Sequence, residues 1–342
     1  MFDLNAIIRP NVRDLKPYSS ARDEFSGEAN IWLDANESPY ENGLNRYPDP
    51  LQRRLKKSIS ALKGLPANQI FLGNGSDEAI DLLIRAFCTP GTDRIITLPP
   101  TYGMYAVSAA VNDVGNVEVP LTDAFQIDLP ALQPHLADPK NKLIFICSPN
   151  NPTGNLMDRN DIRDITSAFQ GIVVVDEAYI DFASEPGVSE WIATIPNLVV
   201  LQTFSKAWGM AGARLGMAFA QPESIAVLNR IKPPYNINTL TQKNALERLS
   251  AKADVESEIA EILVERKRLE TALTAMDQCM HVYPGAANFI LAQFKDADNL
   301  YAYLCEKGIV VRSRTKLIRG ALRITVGTPK ENEMLLEELN AY

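Results

Sequence analysis

Histidine is nearly absent. The 342 residues hold two, His135 and His281, and four cysteines, Cys88, Cys147, Cys279 and Cys305. No two cysteines form a C-x-x-C pair, so neither a metal site nor a disulfide framework is expected. Scattered single cysteines fit a reducing cytoplasm. Long hydrophobic runs are lacking too, and nothing approaches the ~20 apolar residues that span a bilayer. The first residues, MFDLNAIIRPNVRDL, mix charges among their apolar positions and hold no signal-peptide core. A cytoplasmic protein without a membrane partner is the expectation. Positive charge is not in excess either: the formal net charge is −8, which argues against nucleic acid as a partner. An anionic small substrate stays open, provided that arginines cluster locally. Internal repeats and low-complexity tracts are missing.

What is present is the composition of an ordinary globular protein, 46% hydrophobic and 22% charged. The length suggests one large domain plus a smaller one. RIITL (94–98), KLIFIC (142–147), GIVVVD (171–176) and NLVVLQTF (197–204) are short, continuous apolar runs. Helix-patterned stretches such as DEAIDLLIRAF (77–87) and RNDIRDITSAF (159–169) separate them. That alternation predicts an α/β fold with a mostly parallel central sheet sandwiched by helices. The pattern changes at IKPPYNINTL, where two prolines end the preceding helix. A long helix is expected from about Asp254 to Met276. Its apolar stripe is Ile259, Ile262, Leu263, Leu269, Leu273 and Met276, and Glu265–Arg268 fall mainly on a solvated face. ANFILAQF, GIVVRS and ALRITVG, with two further helices, then predict a smaller α+β domain. The expected division is 46–234 for the large domain, and 1–45 with 235–342 for an N-terminal arm and the small domain.

Four stretches could carry chemistry. LGNGSDEAI (72–80) is a glycine-rich turn opening a helix, with Ser76 or Asp77 as a good N-cap. Free N–H groups at such a start bind phosphate, though a plain capped helix fits equally well. It is not a dinucleotide fingerprint, because Glu78 stands where a third glycine is needed. CSPNNPTGN (147–155) gathers Ser148, Asn150, Asn151 and Thr153 at the carboxyl end of a buried strand, where open α/β sheets bind ligands. It is also good turn chemistry. VVVDEAYIDF (173–182) puts Asp176 at the end of another buried strand, where a carboxylate must pair with a cation or accept hydrogen bonds. A helix cap is the alternative, and a protonated ring nitrogen is the functional partner. QTFSKAWGMAGARLG (202–216) holds Lys206 and, eight residues on, Arg214. A lone lysine is usually solvated, but this one has apolar, glycine-rich flanks. Desolvation lowers a lysine's pKa and makes its amine nucleophilic.

In this order the four stretches resemble the class I and II aminotransferases, which are pyridoxal 5′-phosphate enzymes of fold type I. NVRDLKPYSSAR (11–22), WLDANESPY (32–40), NRYPDP (45–50), GIVVRSR (308–314) and ALRITVG (321–327) narrow the resemblance to histidinol-phosphate aminotransferases. It covers about residues 12–327, with small departures at Trp208 and Met217. The resemblance implies that Lys206 bonds the cofactor through its amine and later shuttles the substrate proton. Asp176 would keep the pyridine nitrogen protonated, while Asn151 and Tyr179 would hydrogen-bond its phenolic oxygen. Tyr102 would stack on the ring, although core packing is the reading its residues alone favour. Ser76, Asp77, Thr203, Ser205 and Arg214 would receive the cofactor phosphate. Tyr47 would reach that phosphate from the neighbouring subunit, which makes a homodimer with shared active sites; a half-buried loop aromatic is the plainer account. Arg323, with Arg312 and Tyr18, would bind the substrates, histidinol phosphate and glutamate or 2-oxoglutarate. A surface ion pair is the alternative for Arg312. An arginine inside a strand such as ALRITV calls for an anion, since its planar fork grips carboxylate or phosphate by two bonds. Similar enzymes act on aromatic amino acids or decarboxylate a phosphorylated threonine. A phosphate-binding protein without this chemistry is the remote alternative.

Overall fold

Where helices cover both faces of a sheet, its strands must be apolar on both sides, and this chain obeys that rule. The computed structural model describes residues 2–16, 24, 25, 27 and 29–342. Among these, one sheet contains β1 (Ile70–Asn74), β2 (Arg94–Thr97), β3 (Gly115–Glu118), β4 (Asn141–Cys147), β5 (Ile172–Asp176), β6 (Leu198–Thr203) and β7 (Leu215–Phe219). Their order is β1-β7-β6-β5-β4-β2-β3. From β3 across to β6 neighbours run parallel, and β7 is antiparallel to both β6 and β1. The expected, mostly parallel sheet is therefore present. The runs that announced it match β2, β4, β5 and β6 to within a residue or two.

Helices α1 (Arg53–Lys63), α2 (Gly75–Phe87), α3 (Met104–Val111), α4 (Leu129–Leu136), α5 (Arg159–Ala168) and α6 (Pro222–Ile231) enclose this sheet. Val173 and Val175 of β5 join one core, with Leu55 of α1, Leu132 of α4 and Ile165 of α5. Ile172 and Val174 join the other, with Ile80 of α2, Tyr105 of α3 and Leu228 of α6. This is the two-residue alternation of a strand. Each such side chain contributes about 1.5–3 kcal/mol on burial.

Beyond the two prolines come α7 (Thr239–Ser250), α8 (Lys252–Thr274), β8 (Cys279–Val282), β9 (Phe289–Phe294), α9 (Ala297–Glu306), β10 (Arg312–Ser313), β11 (Ala321–Thr325) and α10 (Pro329–Ala341). The strands form an antiparallel sheet in the order β10-β11-β9-β8. Leu322 and Ile324 of β11 point into a third core with Leu269, Leu273, Leu300 and Leu336. Alternation then puts Arg323 on the opposite face. Arg312 is its cross-strand partner, so both arginines leave the small sheet on the same side.

The solvated face expected over Glu265–Arg268 fails at Glu265. This side chain is buried and accepts from Asn332 Nδ2 at 2.8 Å and from Arg268 Nη2 at 3.0 Å. The carboxylate ties α8 to the start of α10, a long-range contact that helical spacing cannot reveal. Among the described residues no helix is long and apolar enough to cross a membrane.

Candidate active site

Parallel strands end at one edge, and register decides which residues meet there. Cys147 lies level with Asp176, and Asp176 with Leu201. The turns after β4, β5 and β6 consequently open side by side, at the carboxyl edge that open α/β sheets use for ligands. A cavity of about 440 Å³ lies there. Ser76, Asp77, Tyr102, Asn151, Asp176 and Tyr179 line it on the large-sheet side. Thr203, Ser205, Lys206 and Arg214 follow from the segment after β6, and Arg312 and Arg323 from the small sheet. Tyr47 lies elsewhere in its own chain: it stacks on Tyr235 (centroids 4.4 Å apart) and lines a separate groove with Asn36, Glu37, Asn238 and Leu240. Tyr18 falls outside the described residues.

Backbone builds one end of the cavity. Gly75 opens α2 at φ +73°, and its N–H donates to the Arg214 carbonyl at 3.0 Å. β7 passes so close that a Cβ on Gly216 would lie 2.1 Å from Ser76 N. Neither Ser76 nor Asp77 is the N-cap. Asn74 holds that position, without a side-chain capping bond, so the cap does not consume the helix-start N–H groups. These suit an anion. The Asp77 carboxylate instead clamps its surroundings. It accepts from Tyr102 Oη at 3.2 Å and lies 3.5 Å from Arg214 Nη2. Thr203 Oγ1 accepts from Ser205 N at 3.1 Å and donates to the Leu215 carbonyl at 3.2 Å, which fixes the turn that carries Lys206.

At the cavity floor, Asp176 is buried. Its Oδ2 accepts from Tyr105 Oη at 2.7 Å, and its Oδ1 from Ala178 N at 3.1 Å. Burial pushes its pKa up, against these two donors. Lys206 is not buried outright, since its side chain is open to the cavity. Partial desolvation, then the nearby Arg323 charge, still lower its pKa. Its Nζ stands 5.5 Å from the centre of the Tyr179 ring. Asn151 joins the two sheets: Nδ2 donates to Tyr179 Oη at 3.4 Å, and Oδ1 accepts from Arg323 Nη1. The Arg323 guanidinium lies over Phe289 (5.1 Å), and its Nε is buried with no partner.

Three residues at or behind the cavity escaped the sequence reading. Arg314 lines it beside Arg312; the alternation in VRSR was the available signal. Tyr105, three residues after Tyr102 on a helix, could have been placed by periodicity, but its bond to Asp176 could not. Glu177 sits behind Asp176. It accepts from Gln202 Nε2 at 2.8 Å and from Val188 N, and Gly187 packs so closely that a Cβ there would lie 2.4 Å from Glu177 Oε1. Burial raises its pKa from the ordinary 4.5 to about 7.

The fold therefore holds the Glu177 proton more tightly than the unfolded chain does. The stability this contributes is complete below about pH 4.5 and is lost as pH rises through about 7, a swing of roughly 3 kcal/mol. Glu177→Gln should flatten it. Gln202 Oε1 is buried and unpartnered, so a turned Gln202 amide can accept from the new carboxamide. Urea unfolding at pH 5 and pH 8 is the measurement. An unchanged pH dependence in the variant would assign the swing to another group.

The model of the family described as aminotransferase class I and II matches residues 27–339. A histidinol-phosphate aminotransferase of Parabacteroides distasonis is 55% identical over 341 residues, 99% of each chain. One of Cytophaga hutchinsonii is 54% identical over 349 residues, covering 100% of this chain and 99% of its own. Among solved structures, the histidinol-phosphate aminotransferase of Clostridium acetobutylicum superposes with a TM-score of 0.80 at 27% identity, covering 87% of this chain and 90% of that one.

Proposed function

The chain belongs to the class I and II aminotransferases, and we propose that it moves the amino group of L-histidinol phosphate to 2-oxoglutarate in histidine biosynthesis, with pyridoxal 5′-phosphate as cofactor. The observation that carries this reading is one cavity holding an amine of lowered pKa, a buried carboxylate and four arginines. The curated relatives, half or more identical over their whole length, supply the substrate.

The residues present fit the cofactor. Uncapped N–H groups of α2, with Ser76, Thr203, Ser205 and Arg214, suit its phosphate, and the missing Cβ of Gly216 makes that cradle. When bound, the cofactor supplies a carbonyl that condenses with amines and a ring that takes up electrons released at the substrate α-carbon. Asp176 presents a carboxylate for the ring nitrogen, and a buried carboxylate prefers a cationic partner. Asn151 and Tyr179 serve the ring's hydroxyl side, and Tyr102 its face. Lys206 takes the α-proton and returns it; partial desolvation keeps more of its amine neutral. Arg323 and Arg312, now with Arg314, receive the substrate's phosphate or carboxylate.

Large apolar side chains support a homodimer. Ile31, Leu33, Tyr40, Leu44 and Leu240 are each more than half exposed, and covering large apolar side chains with a second copy favours association. Tyr47 lies outside its own chain's cavity, and in the proposed dimer it reaches the partner's. The reading keeps 46–234 as the cofactor-binding domain, with 1–45 and 235–342 as arm and small domain. Ile237, Ala245 and Phe289 nonetheless pack into the large core. A biosynthetic role and scattered thiols fit the cytoplasm.

The test is a substrate panel on the purified holoenzyme: amino transfer from histidinol phosphate, phenylalanine and tyrosine, and carbon dioxide release from threonine phosphate. Histidinol phosphate should lead phenylalanine and tyrosine in kcat/KM by about 100-fold or more, because neither brings a phosphate to the arginines, and it should lead threonine phosphate because the relatives are histidinol-phosphate aminotransferases. A lead by any other substrate would overturn the assignment.

A further inference from the structure

Tyr105 is fully buried, and the reaction as described makes no use of it. Its ring stacks on Phe145 (centroids 4.7 Å apart, planes at 12°) and meets Tyr102 edge-on (5.5 Å, 83°). Held on both sides, its hydroxyl has a fixed direction, toward Asp176 Oδ2 at 2.7 Å. Asp176 Oδ1 is occupied by Ala178 N. The two donors therefore fix both rotation and charge of a carboxylate that is 2% exposed. Without compensation such a carboxylate would hold its proton.

We infer that Tyr105 is a positioning residue: it keeps Asp176 ionised and aimed, so that Asp176 can leave the shared proton on the cofactor's ring nitrogen. The inference rests on the reading of the cavity as a pyridoxal phosphate site. One proton has two resting places, the Asp176 carboxyl and the ring nitrogen, and a hydrogen bond to the charged carboxylate favours the second. Tyr105 itself remains a neutral donor, because burial and the Asp176 charge push its own ionisation well up. The other groups facing Asp176 are the Cys147 thiol of β4, which burial keeps protonated, Asp77 of α2, Lys206 after β6, and the phenols of Tyr102 and Tyr179. Asp77 opposes the Asp176 charge and Lys206 favours it, so their effects work against each other while that of Tyr105 is directed at one oxygen.

The experiment compares native protein and Tyr105→Phe, each loaded with cofactor labelled with nitrogen-15 in its ring. Phenylalanine keeps the stacking and removes the hydroxyl, which donates to Asp176 and also meets the Cys147 thiol. The ring-nitrogen resonance should move toward the unprotonated position in the variant. The cofactor dissociation constant should rise about tenfold or more, the worth of a hydrogen bond to a buried charge. In an Asp176→Asn background the same change should alter that constant by no more than about twofold, since the residue through which Tyr105 acts is gone. A native ring-nitrogen signal with unchanged affinity in Tyr105→Phe, or a further tenfold loss beside Asp176→Asn, overturns the inference while leaving the cofactor reading intact. A native protein that binds no cofactor sinks both. Should Tyr105→Phe fail to fold, 3-fluorotyrosine at position 105 keeps the hydroxyl and strengthens it as a donor. The ring-nitrogen resonance should then move toward the protonated position, and an unmoved resonance counts against the role.

Discussion

Lys206→Ala should lower the rate of amino transfer by about 10⁴-fold or more while leaving a folded protein. A positioned acid–base group alone is worth about 10²- to 10⁴-fold, and this variant also loses the only amine that lines the cavity among the described residues. Folding should survive, because the Lys206 side chain is open to the cavity and buries little apolar surface. The turn around it is held by Thr203 and by the bond from Gly209 N to the Lys206 carbonyl at 3.0 Å, both of which alanine preserves. Single-turnover mixing with histidinol phosphate measures the loss. Borohydride supplies an independent check: native protein should trap its cofactor covalently at position 206, and the variant should release it on denaturation. Trapping at another lysine in the variant would contradict the assignment.

Much of this site was legible before any coordinates, and the reasons are local. Asp176, Asn151 and Lys206 each follow a continuous apolar run, and a polar group at the end of a buried strand needs a partner. Gly75 and Gly216 carry backbone constraints that no other residue meets. The failures are of one kind. Tyr105 bonds to Asp176 across 71 positions of sequence, Glu265 meets Asn332 across 67, and Arg314 is held beside the cavity by its N–H bond to the Ala321 carbonyl at 2.9 Å. Periodicity places residues on faces, but it does not say which face meets which. β1 and β7 were missed for a related reason. Their sequences, IFLGN and LGMAF, each contain a glycine, which weakens a strand pattern; Gly216 of β7 is needed for the close approach to the start of α2, which the sequence does not show. The cap expected at Ser76 or Asp77 went to Asn74 because the chain is still in β1 at that residue.

The arginines can be ranked by geometry, and Arg323 should dominate. Arg323 touches Asn151, lies over Phe289 and keeps a buried, unpartnered Nε, whereas Arg312 is exposed. Losing one partner of a desolvated charge pair costs about 2–5 kcal/mol. Arg323→Ala should therefore lower kcat/KM by about 10²- to 10³-fold for histidinol phosphate and 2-oxoglutarate alike, since in the proposed reading both anions use the same guanidinium. Arg312→Ala should cost about tenfold or less, as surface charges do. Arg323→Lys should recover only part of the loss, since a point charge cannot replace the two-pronged fork. A second consequence separates electrostatics from shape. The Arg323 charge is the second cause, after desolvation, of the lowered Lys206 pKa. Its removal must raise that pKa, so the alkaline-going rise of kcat, which reports the substrate complex in which Lys206 is the free base, should move to higher pH in Arg323→Ala and stay in place in Arg323→Lys. If both variants show the native pH profile, Arg323 does not act on Lys206 through space, and its contribution is confined to holding the substrate and Asn151.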